Sequence, residues 1–502
     1  MCGDAMSLLK QVKNTEKTTP LQKSLTDNMV ALNKTFASSF DFKMKKTKIG
    51  GWDAVYVCLD GMCNNQEIFL SVTNPIGARA AVFDRSLALY EDIRDRISAN
   101  VQQGEVLTLE DAVQAVLTGN LLLFIDGVDR ALLFSVQGYP KHAVTDPQSN
   151  MQEQGSHEGF VDSYKDNATL LRRRLAGGDL CMENMTIGTA SRTQIVVCYM
   201  RGRVEPSKLE EVKRRLHAIE IDNVSGSGCL APFLEPKGWH FFQSVGSTER
   251  PDVFCAKLTE GKIGILVDGT PHALILPFLF IENFHTLDDY LKRPYYALFL
   301  RMIKLLSFIT GVFLPGVYVA ILVYHPEIIP DSVMYNIVTS KQQTPFPIMA
   351  ESLVIHIIYE IVREAGLRMP KSVGHTVSIV GALIIGDAAV TAKLISAPML
   401  IIVALTAITS AVISEIQDPV CVLRLGFIIV GGMFGIYGIF VGAGVLLLNI
   451  CSESPLGVPF TLPVSPLRKE GQRDVLIRRD WRVLSRKRYN PALFEQEEEK
   501  QP

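Results

Sequence analysis

The sequence predicts an α+β (α/β-like) soluble N-terminal region of two subdomains, followed by an all-α, multi-span membrane domain and a basic tail. Three observations support this. Charged residues concentrate before Lys304 and after Arg468, and between them lie long stretches with none. Several of those stretches reach the roughly 20 apolar residues that cross a ~30 Å hydrocarbon layer. Ahead of them, strand-like apolar runs ending in Asp-Gly alternate with helical patterns. At 502 residues the chain suffices for two or three compact units. The expected parts are a polar N-terminal arm (1–45), soluble subdomain 1 (46–158), a linker helix (159–180), soluble subdomain 2 (181–280), a juxtamembrane segment (281–304), a transmembrane domain (305–452) and a basic cytoplasmic tail (453–502).

In the soluble region three segments share one pattern: VYVCLDG ending at Gly61, LLLFIDG ending at Gly127, and IGILVDG ending at Gly269. In the latter two a second apolar run follows closely, so Asp126-Gly127 and Asp268-Gly269 read as structural turns whose glycine accepts a positive φ. No D-x-D-x-D-G ladder surrounds them, so a calcium loop is not indicated. Helices are expected over 84–100, 109–117, 162–175 and 206–219. Arg172, Arg173 and Arg174 stand in the third of these; consecutive helical residues point 100° apart, which favours inter-subdomain pairing over one flat anion patch. Glu249-Arg250-Pro251-Asp252 combines a proline with three charges, as a rigid ion-paired loop would.

The membrane region offers uncharged runs at 305–324, 394–414 and 425–450, and a weaker one at 373–392 that contains His375 and Asp387. Gly431, Gly435, Gly438 and Gly442 recur at steps of four and three. On a continuous helix that is one small-residue stripe, suited to close packing within a subunit or between subunits. The segment 345–366 differs from the rest: Ser352, His356, Glu360 and Arg363 fall on about one quarter of a helix whose remainder is apolar. Such a stripe faces water, protein or a partner charge, which makes it the candidate lining of a path; the alternative is an interfacial helix with locally paired charges. Lys292, Arg293, Arg301 and Lys304 before the first span, and a basic run at 468–488, place both ends in the cytoplasm by the positive-inside rule, which requires an even number of crossings, four being expected.

Several function classes find no support. The chain has no Walker loop, no G-x-G-x-x-G after a strand, no H-E-x-x-H and no G-x-S-x-G, so no enzyme is indicated and no cofactor is expected. The nine cysteines, at 2, 58, 63, 181, 198, 229, 255, 421 and 451, never take C-x-x-C spacing, so no metal site is expected and free thiols in a reducing compartment are. Basic and acidic residues alternate in the soluble part, and nucleic-acid binding is unsupported. The N-terminus lacks the apolar run of a signal peptide, leaving insertion to the first span.

Longer motifs carry a resemblance. FLPGVYVAILVYHPEIIP (313–330), PFPIMAESLVIHIIYEIVREAGLRMP (345–370) and SIVGALIIGDAAV (378–390) are similar to the A subunit of GerA-family spore germination receptors. So, in the soluble region, are GFVDSYKDNATLLRRRL (159–175), TERPD (248–252) and ILVDGTPHALILP (265–277). The resemblance implies residence in the spore inner membrane of a sporulating Firmicute, beside a transporter-like, germinant-binding B subunit and a lipoprotein C subunit. It also implies a homo-oligomer whose membrane region conducts cations when germinant binds. On that reading Glu351, Ser352, His356, Glu360, Arg363 and Asp387 are the ion-path candidates, since acidic groups near a pore concentrate cations. A non-conducting signalling scaffold is the alternative. Departures from the family pattern at Lys141, Asp146-Pro147 and Asp387 leave a stage V sporulation AF-type relative open as well.

Overall fold

The computed structural model describes residues 19–77, 83–97, 102–138, 155–342, 344–369, 386–466 and 474–475. They divide into two compact units, one built on residues up to 235 together with 245–277, the other on 236–244 and the residues from 278 onward.

The first unit is α+β and contains two five-stranded sheets. The first comprises β1 (Phe42–Ile49), β2 (Trp52–Leu59), β3 (Gln103–Val106), β4 (Leu121–Ile125) and β5 (Ala131–Phe134). The second comprises β6 (Leu180–Ile187), β7 (Thr193–Met200), β8 (Gly246–Thr248), β9 (Ile263–Val267) and β10 (Ala273–Leu276). Their orders are β1-β2-β4-β5-β3 and β6-β7-β9-β10-β8, so the second sheet repeats the first strand for strand. Every pairing is antiparallel.

The helices repeat too. In the first subdomain α1 (Leu25–Phe36) precedes β1, while α2 (Ser86–Ile97) and α3 (Leu109–Leu117) flank β3. In the second, α4 (Tyr164–Arg174) precedes β6, while α5 (Pro206–His217) and α6 (Pro251–Thr259) flank β8. Leu32 and Phe36 of α1 and Val116 of α3 pack on one face of the first sheet, against Val57 and Leu122. Leu89, Tyr90 and Ile93 of α2 cover the other, against Tyr56 and Leu123. Leu171 of α4 and Phe254 of α6 meet Val196, Cys198 and Leu266 in the same way.

The Asp-Gly turns are the joints of this repeat. Gly127 and Gly269 take φ of 83° and 82°, open only to a residue without Cβ strain. Asp126 Oδ1 accepts from the Leu25 amide at 3.1 Å, and Asp268 Oδ1 from the Tyr164 amide at 3.3 Å. Each carboxylate therefore lies at the N-terminus of its subdomain's first helix, where amide donors are unpaired. Asn28 and Asn167, inside those helices, each exchange two hydrogen bonds with a preceding backbone residue, Gln22 and Val161.

Two expected boundaries move. The polar arm over 1–45 contains α1, capped by Ser24 and packed by Leu32 and Phe36, and β1 begins at Phe42. Its low hydrophobicity conceals four apolar residues at helical spacing, Leu25, Met29, Leu32 and Phe36. The linker helix over 159–180 is α4, the second subdomain's counterpart of α1, with Ala168 and Leu171 in that core. Glu249-Arg250-Pro251-Asp252 is ion-paired as expected but opens α6, with Pro251 at its first turn.

The second unit is helical: α7 (Pro294–Tyr324), α8 (Asp331–Lys341), α9 (Ile348–Arg368), α10 (Ala397–Val412) and α11 (Gln417–Ser452). By length and composition, Pro294–Tyr324 and Ser414–Ser452 suffice to cross a membrane. The sequence predicts four spans; among the described residues these two helices pass that measure, and Ala397–Val412 is a shorter apolar helix. The run at 394–414 yields α10, with 16 residues. Of the weaker run at 373–392, only 386–392 lies within the described residues.

The run at 425–450 is not one helix. Gly435 has φ 64° and ψ −153°, and the chain reverses there. A Cβ added at Gly442 would lie 2.8 Å from the Phe427 ring, two positions that a straight helix would hold ~22 Å apart. Thus 417–434 and 436–452 form an antiparallel hairpin, and the four glycines do not share one helical stripe. Tyr324 closes the turn, its hydroxyl donating to the carbonyls of Gly432 at 3.2 Å and Met433 at 2.7 Å, groups the helix break leaves free. Gly431 supports a close crossing with α7: a Cβ there would lie 2.5 Å from the Gly316 carbonyl oxygen. Each of the four glycines lies against this chain's own atoms: Gly431 on Gly316, Gly435 on Tyr324, Gly438 on Phe434 and Val430, and Gly442 on Phe427.

Candidate functional site

The polar face of α9 runs along the interior of the second unit. Contacts fix the directions: Glu351 meets Ser396 and His356 meets Thr406, so α9 and α10 run parallel, whereas Glu360 meets Arg424 and Arg363 meets Asp418, so α9 and the first arm of α11 run antiparallel.

Three levels of polar contact follow. At the first, the buried Glu351 accepts hydrogen bonds through Oε1 from the Ser396 amide and hydroxyl, both at 2.6 Å. Its other oxygen pairs with Lys341 of α8. A carboxylate beside the first turn of α10 meets amides that the helix leaves unpaired. At the second, His356 Nδ1 donates to the Ser352 carbonyl at 2.8 Å, while Nε2 lies 3.4 Å from Thr406 Oγ1. Both side chains are buried.

At the third level Glu360 lies between two arginines, Oε2 at 2.6 Å from Arg363 Nε and Oε1 at 3.6 Å from Arg424 Nη1. Arg424 is 1% exposed, donates through Nε to the Gly311 carbonyl at 2.8 Å, and reaches Ser410 Oγ. It thereby joins α7, α9, α10 and α11. A charge among apolar helices is tolerable only when paired in this way.

The structure thus brings together Glu351, Ser352, His356, Glu360 and Arg363, five of the six ion-path candidates. Asp387 is exposed on the short helix 386–391, and among the described residues it makes no ion pair with them. Within one chain the stripe faces protein, one of the environments expected for it. Sequence reading missed Arg424, because the apolar run was taken from its neighbour Leu425. The available signal was an arginine inside an otherwise apolar stretch. It also missed Lys341, Ser396 and Ser410, whose types are ordinary at helix ends and among membrane helices.

A second polar centre joins the two soluble subdomains. Arg172, fully buried, donates from Nε to Asp41 Oδ2 at 2.8 Å and from Nη2 to Oδ1 at 3.0 Å. It also bonds Ser39 Oγ at 2.8 Å and the Leu180 carbonyl at 3.1 Å. Arg173 and Arg174 instead pair with Glu158, at 3.0 and 2.7 Å. Of the triplet, one member takes the inter-subdomain role.

The family model for the Bacillus/Clostridium GerA spore germination protein matches residues 30–489. The chain belongs to the GerA family. It is similar to spore germination protein KA of Bacillus subtilis, 34% identical over 93% of this chain and 86% of that one. Spore germination protein GerQA of Bacillus cereus is 35% identical over 74% and 75% of the two chains. The membrane protein YfkQ of Bacillus subtilis is 30% identical over 96% and 94%. Among solved structures, the N-terminal domain of the A subunit of the Bacillus megaterium spore germinant receptor GerK3 aligns with 52% of this GerA-family chain and 98% of that one, at 28% identity and a TM-score of 0.42.

Proposed function

We propose that this chain is the A subunit of a spore germinant receptor in the spore inner membrane, assembled with a transporter-like B subunit that binds the germinant and a lipoprotein C subunit. In this reading several copies associate through their membrane helices and form a cation-conducting path that opens on germinant binding. Both chain ends lie in the cytoplasm. The observation that carries the reading is the polar column on α9 inside an otherwise apolar bundle. Large apolar side chains such as Ile401, Leu405 and Ile408 of α10 and Phe434, Tyr437 and Phe440 of the hairpin are exposed around it, a surface suited to lipid or a neighbouring copy.

In the closed form Glu360 is neutralised by Arg363 and Arg424, and opening rotates α9 so that its acidic groups face the path. The test is cation flux in vesicles holding the whole receptor. Glu360→Gln is expected to change germinant-dependent flux severalfold, by removing the charge that both holds the closed form and attracts cations. Unchanged conductance and selectivity in Glu360→Gln and Asp387→Asn would remove these residues from the path.

The burial of Glu351, Ser352 and His356 within a single chain favours a second reading, a scaffold that relays a signal without conducting. Cysteines placed along 352–363 separate the two. A path predicts crosslinks between equivalent positions of identical chains, and a scaffold predicts crosslinks to another subunit or none.

A further inference from the structure

Arg301 and Lys304, two of the cations that precede the first span, turn inward at the foot of α7. Arg301 is 1% exposed, and the Lys304 side chain is largely covered. Asp289, fully buried on the short helix Leu287–Leu291, meets both: its Oδ2 lies 3.5 Å from Arg301 Nε and 3.3 Å from Lys304 Nζ. The same carboxylate accepts from the Thr286 amide at 3.1 Å, so a single anion serves two covered cations and a helix start. The second anion comes from the tail. Asp474 Oδ1 accepts from Arg301 Nη1 at 3.0 Å, and its Oδ2 accepts from the Tyr290 hydroxyl at 2.6 Å. Arg301 Nη1 also donates to the Asp474 and Val475 carbonyls at 2.8 and 3.1 Å, and His285 Nε2 donates to the Val475 carbonyl at 2.9 Å. The Tyr290 ring centre lies 5.5 Å from the guanidinium carbon, so this side chain steadies the arginine with its face and the carboxylate with its hydroxyl.

Among the described residues, Asp289 and Asp474 are the carboxylates in ion-pair contact with these two cations. A buried arginine left without its anion is strongly destabilising, which fixes the chemistry of the ligand: a carboxylate with two backbone carbonyls beside it. The tail holds few such groups. Between 468 and 488 nine basic residues stand against Glu470, Asp474 and Asp480, and the basic ones are repelled by Arg301 and Lys304.

We propose that the foot of α7 is a receptor for the chain's own tail, with Asp474-Val475 as its ligand and Arg301, Tyr290 and His285 as the groups that recognise it. The latch ties the basic segment 468–488 to the first span. Displacement of α7 passes to the tail through these bonds, and a partner that draws the tail away has to leave an anion on Arg301 in its place. None of this depends on whether the membrane part conducts.

The test is limited trypsin digestion of the full chain in detergent, with cleavage after Arg478 followed by mass spectrometry. The substitutions are made in the receptor, so the cleaved sequence stays the same. Arg301→Gln is expected to speed this cleavage by about tenfold or more, since loss of a charge-assisted hydrogen bond opens the docked segment. Tyr290→Phe keeps the ring beside Arg301, removes one hydrogen bond and is expected to speed it about threefold; it decides the matter if Arg301→Gln does not fold. Arg293→Gln, the same loss of charge at an exposed position, is expected to leave the rate unchanged. In thermal unfolding, Asp474→Asn is expected to lower the midpoint of the parent and to do little once Arg301→Gln is present. An unchanged cleavage rate in both Arg301→Gln and Tyr290→Phe would overturn the proposal, as would an equal acceleration in Arg293→Gln or additive losses in the double variant.

Discussion

The two soluble subdomains solve one folding problem with different side chains. Backbone features are kept: strand order, the positive φ of the Asp-Gly turn, and the carboxylate at the start of the first helix. The interiors are not. Where the first subdomain sets Ala112 of α3 near Leu122 of β4 in one core cluster, the second sets Phe254 of α6 against Gly264 of β9, large and small exchanged. A Cβ at Gly264 would lie 2.1 Å from the Phe254 ring. The volume that the helix gives up, the strand supplies, as close packing requires. The clearest asymmetry is at the junction. Arg172 of α4 is buried on Asp41, whereas Asn33, its counterpart on α1, is exposed.

That asymmetry gives the largest expected effect. Arg172→Ala strands the buried Asp41 carboxylate and should cost about 3–5 kcal/mol in denaturant unfolding, while Asn33→Ala should stay within about 0.5 kcal/mol. Adding Asp41→Asn to Arg172→Ala should recover part of the loss, because the unpaired charge goes with it. Equal costs at the two positions would mean that the junction pair contributes nothing beyond its subdomain.

Much of this was legible in the sequence, and the failures share a cause. The helices over 109–117 and 206–219 and the turns at Gly127 and Gly269 were readable because each depends on local spacing and on residues chosen for φ. The duplication was visible only as a shared Asp-Gly pattern, because exchanges such as Phe254 with Gly264 erase side-chain similarity while preserving volume. In the membrane part, hydropathy marked the apolar run but not the reversal at Gly435. An apolar hairpin and an apolar helix have the same composition, and only a backbone angle distinguishes them. The polar face of α9 was found from its periodicity, whereas its partner Arg424 lies on another helix and cannot be paired from one-dimensional spacing.

The exchanged interior supplies a sharper and smaller test. Gly264→Leu alone drives a side chain into the Phe254 ring and should destabilise the subdomain by about 1–3 kcal/mol. Combined with Phe254→Ala it reproduces the first subdomain's arrangement, and the double variant should return to within about 1.5 kcal/mol of the parent, as volume-conserving exchanges do. Thermal or urea unfolding of the three proteins decides it. A double variant no better than Gly264→Leu would show that the two cores are not interchangeable even where their backbones coincide.

The smallest effect probes what the subdomains hold in common. Asp126→Ala and Asp268→Ala each remove an acceptor from the first amide of a helix, α1 or α4, and each should cost about 0.5–2 kcal/mol, the range for a lost helix cap. Both carboxylates are half-buried and their bonds differ in length by little, so the two losses should agree to within about 0.5 kcal/mol. A markedly larger loss at Asp268 would indicate that α4 carries load from the junction into its own cap, since Arg172 lies two turns further along the same helix. Backbone amide exchange at Leu25 and Tyr164 distinguishes the cases: local fraying alone should raise exchange in one helix, whereas a coupled junction should raise it at Phe40 and Met182 as well, whose backbones bond across the subdomains at 2.9 Å.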